Sequence, residues 1–280
     1  MSENLFSVDS IVLAQAFPDI EFEAKLGEGG QKYVYRAQTQ PEGRVAFKII
    51  KSNQQIERTI REINAASSFS PPRFPQIYRY GNANVANIDV VYIVEQFVDG
   101  VSLRDRINAG ALNDAEVFKV GSELLMALTE ISEKNLVHRD IKPENIMLSS
   151  STGVVLLDFG IARHLDLTSL THDVAMFGPM TPGYAAPEQI NNDKRSISAR
   201  TDLFAWGILM YEMISGFNPF TQGCTTPAEV LMKTLKFEPE TLQSCNPELS
   251  RIINWCMKKQ VHRRPPSPSY IFELLKGVLL

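Results

Sequence analysis

One stretch near the middle of the chain combines acidic, basic and amide side chains where no regular helix can form. It runs from His138 to Leu148 and reads HRDIKPENIML. Pro143 would interrupt a helix, so the polar side chains are expected on a loop. The apolar residues that follow, Ile146 to Leu148, predict a return to a β-strand. The chain is therefore expected to fold around a loop that holds a carboxylate, an ammonium group and an amide close together.

A second polar signal follows ten residues later. The apolar run Val154–Leu157 predicts a β-strand, and Asp158, Phe159 and Gly160 come directly after it. An aspartate at the end of a strand, next to a glycine, is a common way to present a carboxylate to a metal ion. The two signals together predict a site that combines acid–base chemistry with metal binding.

The order HRDIKPEN and then DFG resembles the catalytic and metal-binding loops of eukaryotic-type (Hanks-type) serine/threonine protein kinases, with a compactness similar to bacterial members. The resemblance implies an α+β, bilobal fold: a small antiparallel β-sheet N-lobe with one main helix, a larger, mostly helical C-lobe, and ATP between them. It predicts an N-terminal extension over 1–20 and a kinase domain over 21–280. Within that domain the N-lobe is expected at about 21–95, the hinge at 96–100 and the C-lobe at 101–280.

The segment Leu26–Ala37 reads as strand, glycine-rich turn, strand, and Lys48 falls on the next expected strand. Both are similar to the glycine-rich loop and the strand lysine of the family. Glycines there allow backbone N–H groups to approach phosphates, and Lys48 would hold the α- and β-phosphate oxygens. The full set of nucleotide contacts implied is Leu26, Gly27, Glu28, Gly29, Gly30, Val34, Ala46, Lys48, Glu62, Gln96, Val98 and Met147.

Three positions near the expected nucleotide site leave alternatives open. Lys32 stands where the family has a third glycine, and either adds a cation near the phosphates or, as the default for a surface lysine, points to solvent. The helical partner of Lys48 is expected to be Glu62 rather than Glu57, because one turn after Glu62 comes the apolar Ala66 and one turn after Glu57 comes Arg61. The gate residue behind the adenine is either Glu95 or Val94, and a buried glutamate would need a partner.

The resemblance assigns a role to each polar residue of the central loop. Asp140 would orient the substrate hydroxyl and accept its proton, and Lys142 would stabilise charge on the transferring phosphate. Thr181, in a segment similar to the substrate-binding loop, would hydrogen-bond near both of them. Asn145 and Asp158 would hold Mg²⁺, for which Mn²⁺ is a possible substitute. Lysine at position 142 resembles serine/threonine kinases rather than tyrosine kinases.

Residues outside the chemical centre carry further predictions. The segment between Gly160 and Ala186 resembles an activation loop, and its hydroxyl residues Thr168, Ser169 and Thr171 are candidate autophosphorylation sites. Glu188 in the APE motif is expected to pair with Arg264, and Asp202 to hold the backbone of the catalytic loop. Helices are predicted near 11–17, 55–67, 103–107, 114–134, 202–214, 227–235, 247–258 and 268–279.

Composition limits the class of protein and its partners. The 280 residues are 44% hydrophobic with a net charge of −4, which is typical of a folded protein and gives no basis for nucleic-acid binding. No apolar run is long enough to cross a bilayer, so no membrane segment is expected within this chain. The three cysteines form no metal or disulfide pattern, which favours the reducing cytoplasm. The oligomeric state and the substrate are not indicated.

Two other functions remain to be distinguished from a protein kinase that phosphorylates Ser and Thr. A pseudokinase that serves as a nucleotide-dependent binding or scaffold module would be favoured by Lys32, by a glutamate at the gate and by the small Ala66, although the catalytic residues are all present. A small-molecule kinase can share a similar core. The intact APE motif and the Thr181 segment favour protein substrates over small molecules.

Overall fold

The computed structural model describes residues 10–28, 32–51, 56–110, 112–158 and 181–278, and within these it leaves out the side chains of Ser10, Lys51, Ile56, Arg58 and Glu62. The chain divides into two compact units, of which the first extends to Val98, apart from residues 72–74, and the second begins at Asp99. The first contains an antiparallel sheet and the second is mostly helical, which confirms the predicted fold class.

The first unit is built on a five-stranded antiparallel sheet with the strand order β1-β2-β3-β5-β4. Strands β2 and β3, and strands β4 and β5, are joined by short turns, and consecutive residues alternate between the two faces of the sheet. The elements are α1 (Ser10–Ala16), β1 (Ile20–Glu28), β2 (Lys32–Thr39), β3 (Gly43–Lys51), α2 (Ile56–Ala66), β4 (Ile77–Val85) and β5 (Ile88–Gln96).

One face of this sheet forms an apolar core that includes the N-terminal helix. Leu13 and Phe17 from the α1 segment are buried with Phe47 of β3. The ring of Phe17 makes edge contacts with Phe47 and Tyr92, at centroid separations of 4.9 and 5.1 Å. Strand β1 begins at Ile20, which joins the same cluster. The segment from Leu13 to Ile20 thus packs as part of the sheet unit, because the apolar face of the sheet would otherwise expose large side chains to water.

Helix α2 packs on strands β4 and β5. Its buried residues Thr59, Ile63 and Ala66 recur at helical spacing, as one apolar stripe requires. The hydroxyl of Tyr80 on β4 donates a hydrogen bond to Asn64, which attaches the helix to the sheet.

The second unit contains a small sheet, ordered β6-β7-β8, and seven helices among its described residues. Its central helix α6 is buried nearly all round, and Gly216 ends it in the left-handed conformation, with φ of 80°. Each predicted helix is confirmed, the largest difference being that α6 begins at Ala199 rather than Asp202. The elements are β6 (Val101–Ser102), α3 (Leu103–Asn108), α4 (Asp114–Glu133), β7 (Ile146–Ser149), β8 (Gly153–Leu156), α5 (Pro187–Ile190), α6 (Ala199–Ser215), α7 (Pro227–Lys236), α8 (Pro247–Cys256) and α9 (Pro268–Val278).

Candidate active site

The face of the first sheet opposite the apolar core carries the predicted nucleotide-binding side chains. In the β2–β3 pairing Val34 lies opposite Lys48, and in the β3–β5 pairing Ala46 lies opposite Glu95. Residues directly opposite each other share a face, as do residues two apart on one strand. Val34, Ala46, Lys48 and Glu95 therefore lie together on one face. The sheet alone brings the predicted phosphate-binding lysine next to Val34 and Ala46, two of the other predicted nucleotide contacts.

Lys48 forms an ion pair with Glu95 on this face. The Nζ of Lys48 lies 2.5 Å from Oε1 of Glu95, and both residues are 5% exposed. Val94, the alternative gate residue, lies opposite Phe47 and is buried in the apolar core on the other face. The register therefore favours Glu95 over Val94 as the gate residue, and Lys48 is the partner that a buried glutamate at this position needs.

The glycine-rich segment is described only at its two ends. Gly27 pairs with Val34 and has open space around the position of a Cβ atom, and the neighbouring Leu26 is an exposed apolar side chain. Glu28 forms an ion pair with Lys25. Lys32 is half-buried and lies opposite Ile50, so it is on the same face of the sheet as Lys48. Gly29 and Gly30 lie outside the described residues.

Other predicted nucleotide contacts in this unit are tested less directly. The side chain of Glu62 lies outside the described residues, so its pairing with Lys48 stays a prediction, although Ala66 is buried and Arg61 exposed as that choice requires. The backbone N–H of Gln96 donates to the carbonyl of Gln76 at 2.8 Å. Gln96 could therefore take part in a backbone hydrogen bond with adenine only by accepting at its carbonyl oxygen. Val98, at the end of the unit, is half-buried.

In the second unit, the predicted catalytic residues converge on the carboxylate of Asp140. Thr181 donates to Oδ1 at 3.2 Å, and the amide of Asn145 donates to Oδ2 at 3.1 Å. The Nζ of Lys142 lies 3.3 Å from Oδ2 and 3.4 Å from the hydroxyl of Thr181. Both oxygens of Asp140 are thus oriented by groups from two separate segments of the chain. A fixed carboxylate beside an ammonium group is the arrangement expected of a group that orients a hydroxyl and takes up its proton.

Asp202, in the first turn of α6, holds the backbone of the catalytic loop. Its carboxylate accepts hydrogen bonds from the backbone N–H groups of His138 and Arg139, each at 2.8 Å, as predicted. Burial raises the pKa of Asp202 to about 7, against the opposing effect of these two hydrogen bonds. Arg139 has a φ of 67°, and its carbonyl accepts a hydrogen bond from Gln189 at 2.9 Å. Arg139, with its strained positive φ, is therefore held at both its backbone N–H and its carbonyl.

His138 connects the catalytic loop to the strand that leads to Asp158. The N–H of Asp140 donates to Nδ1 of His138, so Nε2 carries the ring hydrogen and donates to the carbonyl of Leu157 at 3.0 Å. The N–H of Leu157 in turn donates to the carbonyl of Asn145 at 2.8 Å. These bonds fix Asp158, the next residue, relative to Asn145.

The oxygen groups of Asn145 and Asp158 fit a magnesium ion that is also held by phosphates. The Nδ2 of Asn145 is used by Asp140, so the amide oxygen is not needed for that contact. No cluster of three or more His, Cys, Asp or Glu side chains that could hold a metal occurs within the described part of the chain. Mg²⁺ usually takes one or two protein oxygens and completes its shell with phosphates and water. Met147, the predicted nucleotide contact in this unit, is half-buried in β7.

The predicted pair of Glu188 and Arg264 is confirmed as a buried, two-pronged ion pair. The Nη1–Oε1 and Nη2–Oε2 distances are 2.7 and 2.8 Å, and the side chains are 0% and 3% exposed for arginine and glutamate. Thr201 donates a further hydrogen bond to Glu188 at 2.8 Å. The pair attaches the segment after Thr181 to the C-terminal part of the unit.

A second network, in which the half-buried Arg104 contacts the buried Glu212, was missed by the sequence analysis. Arg104 of α3 donates to Glu212 of α6 at 2.7 Å, to Glu144 of the catalytic loop at 2.8 Å and to the hydroxyl of Tyr184 at 2.5 Å. Burial alone would lower the pKa of Arg104, but its hydrogen bonds with Glu212 and Glu144 raise the pKa above its usual value. Glu212 lies among apolar residues in the second half of α6, and this was the available signal, because a buried charge needs a partner.

The candidate phosphorylation sites Thr168, Ser169 and Thr171 lie outside the described residues. None of the helices within the described ranges is long and apolar enough to cross a membrane.

The sheet unit, the helical unit and the loop around Asp140 define a protein kinase domain, and comparison with known proteins agrees. Residues 20–275 match the family described as "Protein kinase domain", and the chain belongs to that family. It is similar to serine/threonine-protein kinase PrkC of Bacillus subtilis, with 30% identity over 86% of this chain and 37% of that protein. It is also similar to serine/threonine-protein kinase PknB of Mycobacterium tuberculosis, with 30% identity over 86% of this chain and 39% of that protein. The chain thus spans between a third and two fifths of these relatives.

Proposed function

We propose that this chain is an active serine/threonine protein kinase, which transfers the γ-phosphate of Mg-ATP to Ser and Thr hydroxyls of proteins, including its own. The observation that carries the proposal is the convergence of Lys142, Asn145 and Thr181 on the carboxylate of Asp140. Phosphoryl transfer needs positioning and charge stabilisation more than covalent chemistry, and this cluster offers both. The names of the bacterial relatives support protein substrates.

Each residue of the cluster has a distinct role in the proposed reaction. Asp140 orients the attacking hydroxyl and takes its proton, since both of its oxygens are already aligned by neighbours. Lys142 stabilises negative charge on the transferring phosphate. Thr181 contacts the side chains of both Lys142 and Asp140 and holds them next to each other. Asn145 and Asp158 hold Mg²⁺, or Mn²⁺ in its place, which would neutralise charge on the phosphates of bound ATP.

Nucleotide binding in the first unit is proposed for the sheet face that carries Lys48. Val34 and Ala46 share this face and offer apolar contacts for a base, and the open space at Gly27 allows backbone N–H groups to approach phosphates. Glu62, Gln96 and Val98 remain proposed contributors on the basis of the family resemblance.

We further propose that the catalytic domain covers about 21–280, that it works in the cytoplasm, and that Thr168, Ser169 and Thr171 are its autophosphorylation sites. The family match over residues 20–275 supports the domain bounds. The cytoplasmic setting is supported by the three cysteines, which are all free. Arg139, next to Asp140, is a candidate to bind a phosphate on the loop.

The test compares intact mass after incubation with Mg-ATP for the wild type, Asp140→Asn and the exposed control Asp193→Asn. One or more added phosphates on the wild type and the control, but none on Asp140→Asn, would support the proposed site. Peptide mapping would then test the three hydroxyl residues. No phosphate on any protein or on a generic protein substrate, together with a melting temperature raised by Mg-ATP, would instead indicate a nucleotide-binding module without transfer activity.

A further inference from the structure

We propose that Glu95 is a positioning residue for Lys48: a carboxylate carried by the sheet itself holds the phosphate-binding lysine. This inference rests on the proposed function, because the lysine matters for catalysis only if ATP binds to it. It assigns a role to a side chain that the sequence marked only as an unusual and costly occupant of the gate position.

The register between β3 and β5 brings the two side chains together. Glu95 on β5 lies opposite Ala46, and Lys48 is two residues further along β3 on the same face. Such diagonal neighbours have backbones about 7–8 Å apart, which long side chains can bridge. The observed separation of 2.5 Å between Nζ and Oε1 shows that they do. The contact uses only side chains fixed to neighbouring strands, so it does not depend on the position of a helix.

Burial gives this contact its strength. The side chains of Lys48 and Glu95 are each 6% exposed, and the residue opposite Lys48 is the buried Ile93. An ammonium group is costly in such surroundings unless an anion is close, and the same holds for the carboxylate. Each therefore restricts the other to a narrow set of rotamers. Lys48 is directed along the face that Val34 and Ala46 share, before any phosphate arrives.

The consequence for catalysis is that removing the charge of Glu95 should act through Lys48. Glu95→Gln keeps the shape of the side chain but not its charge, so Lys48 would lose a fixed anion and sample other positions. A displacement of about 1 Å at a positioning group can cost on the order of 100-fold in rate. We expect kcat/KM for ATP to fall by that order in Glu95→Gln, with a smaller loss in Glu95→Asp, which keeps the charge on a shorter stem.

A double-mutant cycle separates this role from a merely structural one. The proteins are the wild type, Glu95→Gln, Lys48→Met and the double variant, with Glu23→Gln as the control, since Glu23 pairs with Arg36 in the same sheet but is solvent-exposed. Two quantities are measured: kcat and KM for ATP with a generic protein substrate, and the affinity for a non-hydrolysable ATP analogue with Mg²⁺ by calorimetry. In the Lys48→Met background, Glu95→Gln should cause no further loss beyond about twofold.

Melting temperatures without nucleotide complete the design. Each single change at the pair should lower the melting temperature by several degrees. The double variant should lie closer to the wild type than the sum of the two, because either single change already removes the same ion pair. Glu23→Gln should leave the melting temperature, kcat and KM unchanged within error.

The outcomes distinguish this inference from the proposed function. An active wild type whose kcat/KM is unchanged by Glu95→Gln, or is lowered equally with and without Lys48, overturns the positioning role and leaves the kinase activity standing. A wild type that neither binds the analogue nor transfers phosphate overturns the proposed function and the positioning role with it. Non-additive melting temperatures would then show that the pair is structural.

Discussion

Replacing Arg264 by methionine should destabilise the second unit strongly, although this residue lies far along the chain from the catalytic loop. The side chain is fully buried and donates two hydrogen bonds to Glu188, at 2.7 and 2.8 Å. It also donates to the carbonyls of Lys258, Lys259 and Arg200, at 2.7, 3.1 and 2.9 Å. Methionine fills much of the same volume but offers none of these donors.

The magnitude follows from what is left behind. Glu188 is 3% exposed and would keep only the hydrogen bond from Thr201 among the contacts described. Leaving one member of a buried ion pair without its partner costs about 3–5 kcal/mol. For a unit of this size that corresponds to a decrease of about 6–20 °C in melting temperature. The adjacent Arg263 is exposed, and Arg263→Met should change the stability by no more than about 0.5 kcal/mol.

The chain offers a probe that is specific to this unit. Its two tryptophans, Trp206 and Trp255, both lie in the second unit, so tryptophan fluorescence during urea or thermal unfolding reports on that unit alone. Arg264→Met should unfold well before Arg263→Met, and the double variant Glu188→Gln/Arg264→Met should lose less than the sum of its two single changes. Equal stability of Arg264→Met and Arg263→Met would refute the argument that the buried pair is structurally essential.

Three further predictions use other parts of the structure. Thr181→Val removes the hydroxyl between Lys142 and Asp140 without changing the shape of the side chain, so kcat should fall about tenfold or more in a steady-state assay while KM for ATP changes little; an unchanged kcat would exclude a role for this hydroxyl. The Nζ of Lys259 is buried without a hydrogen-bond partner in the described structure, and burial lowers its pKa from 10.5 to about 7. The unfolded state therefore binds more protons between pH 7 and 10, the free energy of unfolding should rise with pH over that range, and Lys259→Met should reduce this slope in urea titrations; parallel curves for the two proteins would contradict the assignment. Gly207→Ala places a methyl group 3.0 Å from the side chains of Cys256 and Met257 and should lower the free energy of unfolding by about 1–3 kcal/mol. Gly277→Ala, which has open space in α9, should raise it by up to about 1 kcal/mol. The reverse order of stability in fluorescence-monitored unfolding would contradict the close packing of α6 on α8 at Gly207.

Much of the site could be predicted because its residues are close in sequence. Asp140, Lys142 and Asn145 lie within six residues of one another, and a proline keeps them on a loop, so their mutual contacts follow from local chain geometry. The helices were equally accessible, since apolar periodicity and caps such as Gly216 are local signals. The long-range pair of Glu188 and Arg264 was accessible only through the resemblance to a known family.

The partners of several buried charges were decided by tertiary structure. The sequence indicated that Glu95, if buried, needed a cation, but only the register between β3 and β5 identified that cation as Lys48. In the same way, the pairing of the buried Glu212 with the half-buried Arg104 depends on how α3 and α6 pack. Local spacing determines which groups a loop can hold together. Strand register and helix packing are set by contacts over the whole core, so they determine which distant charges meet.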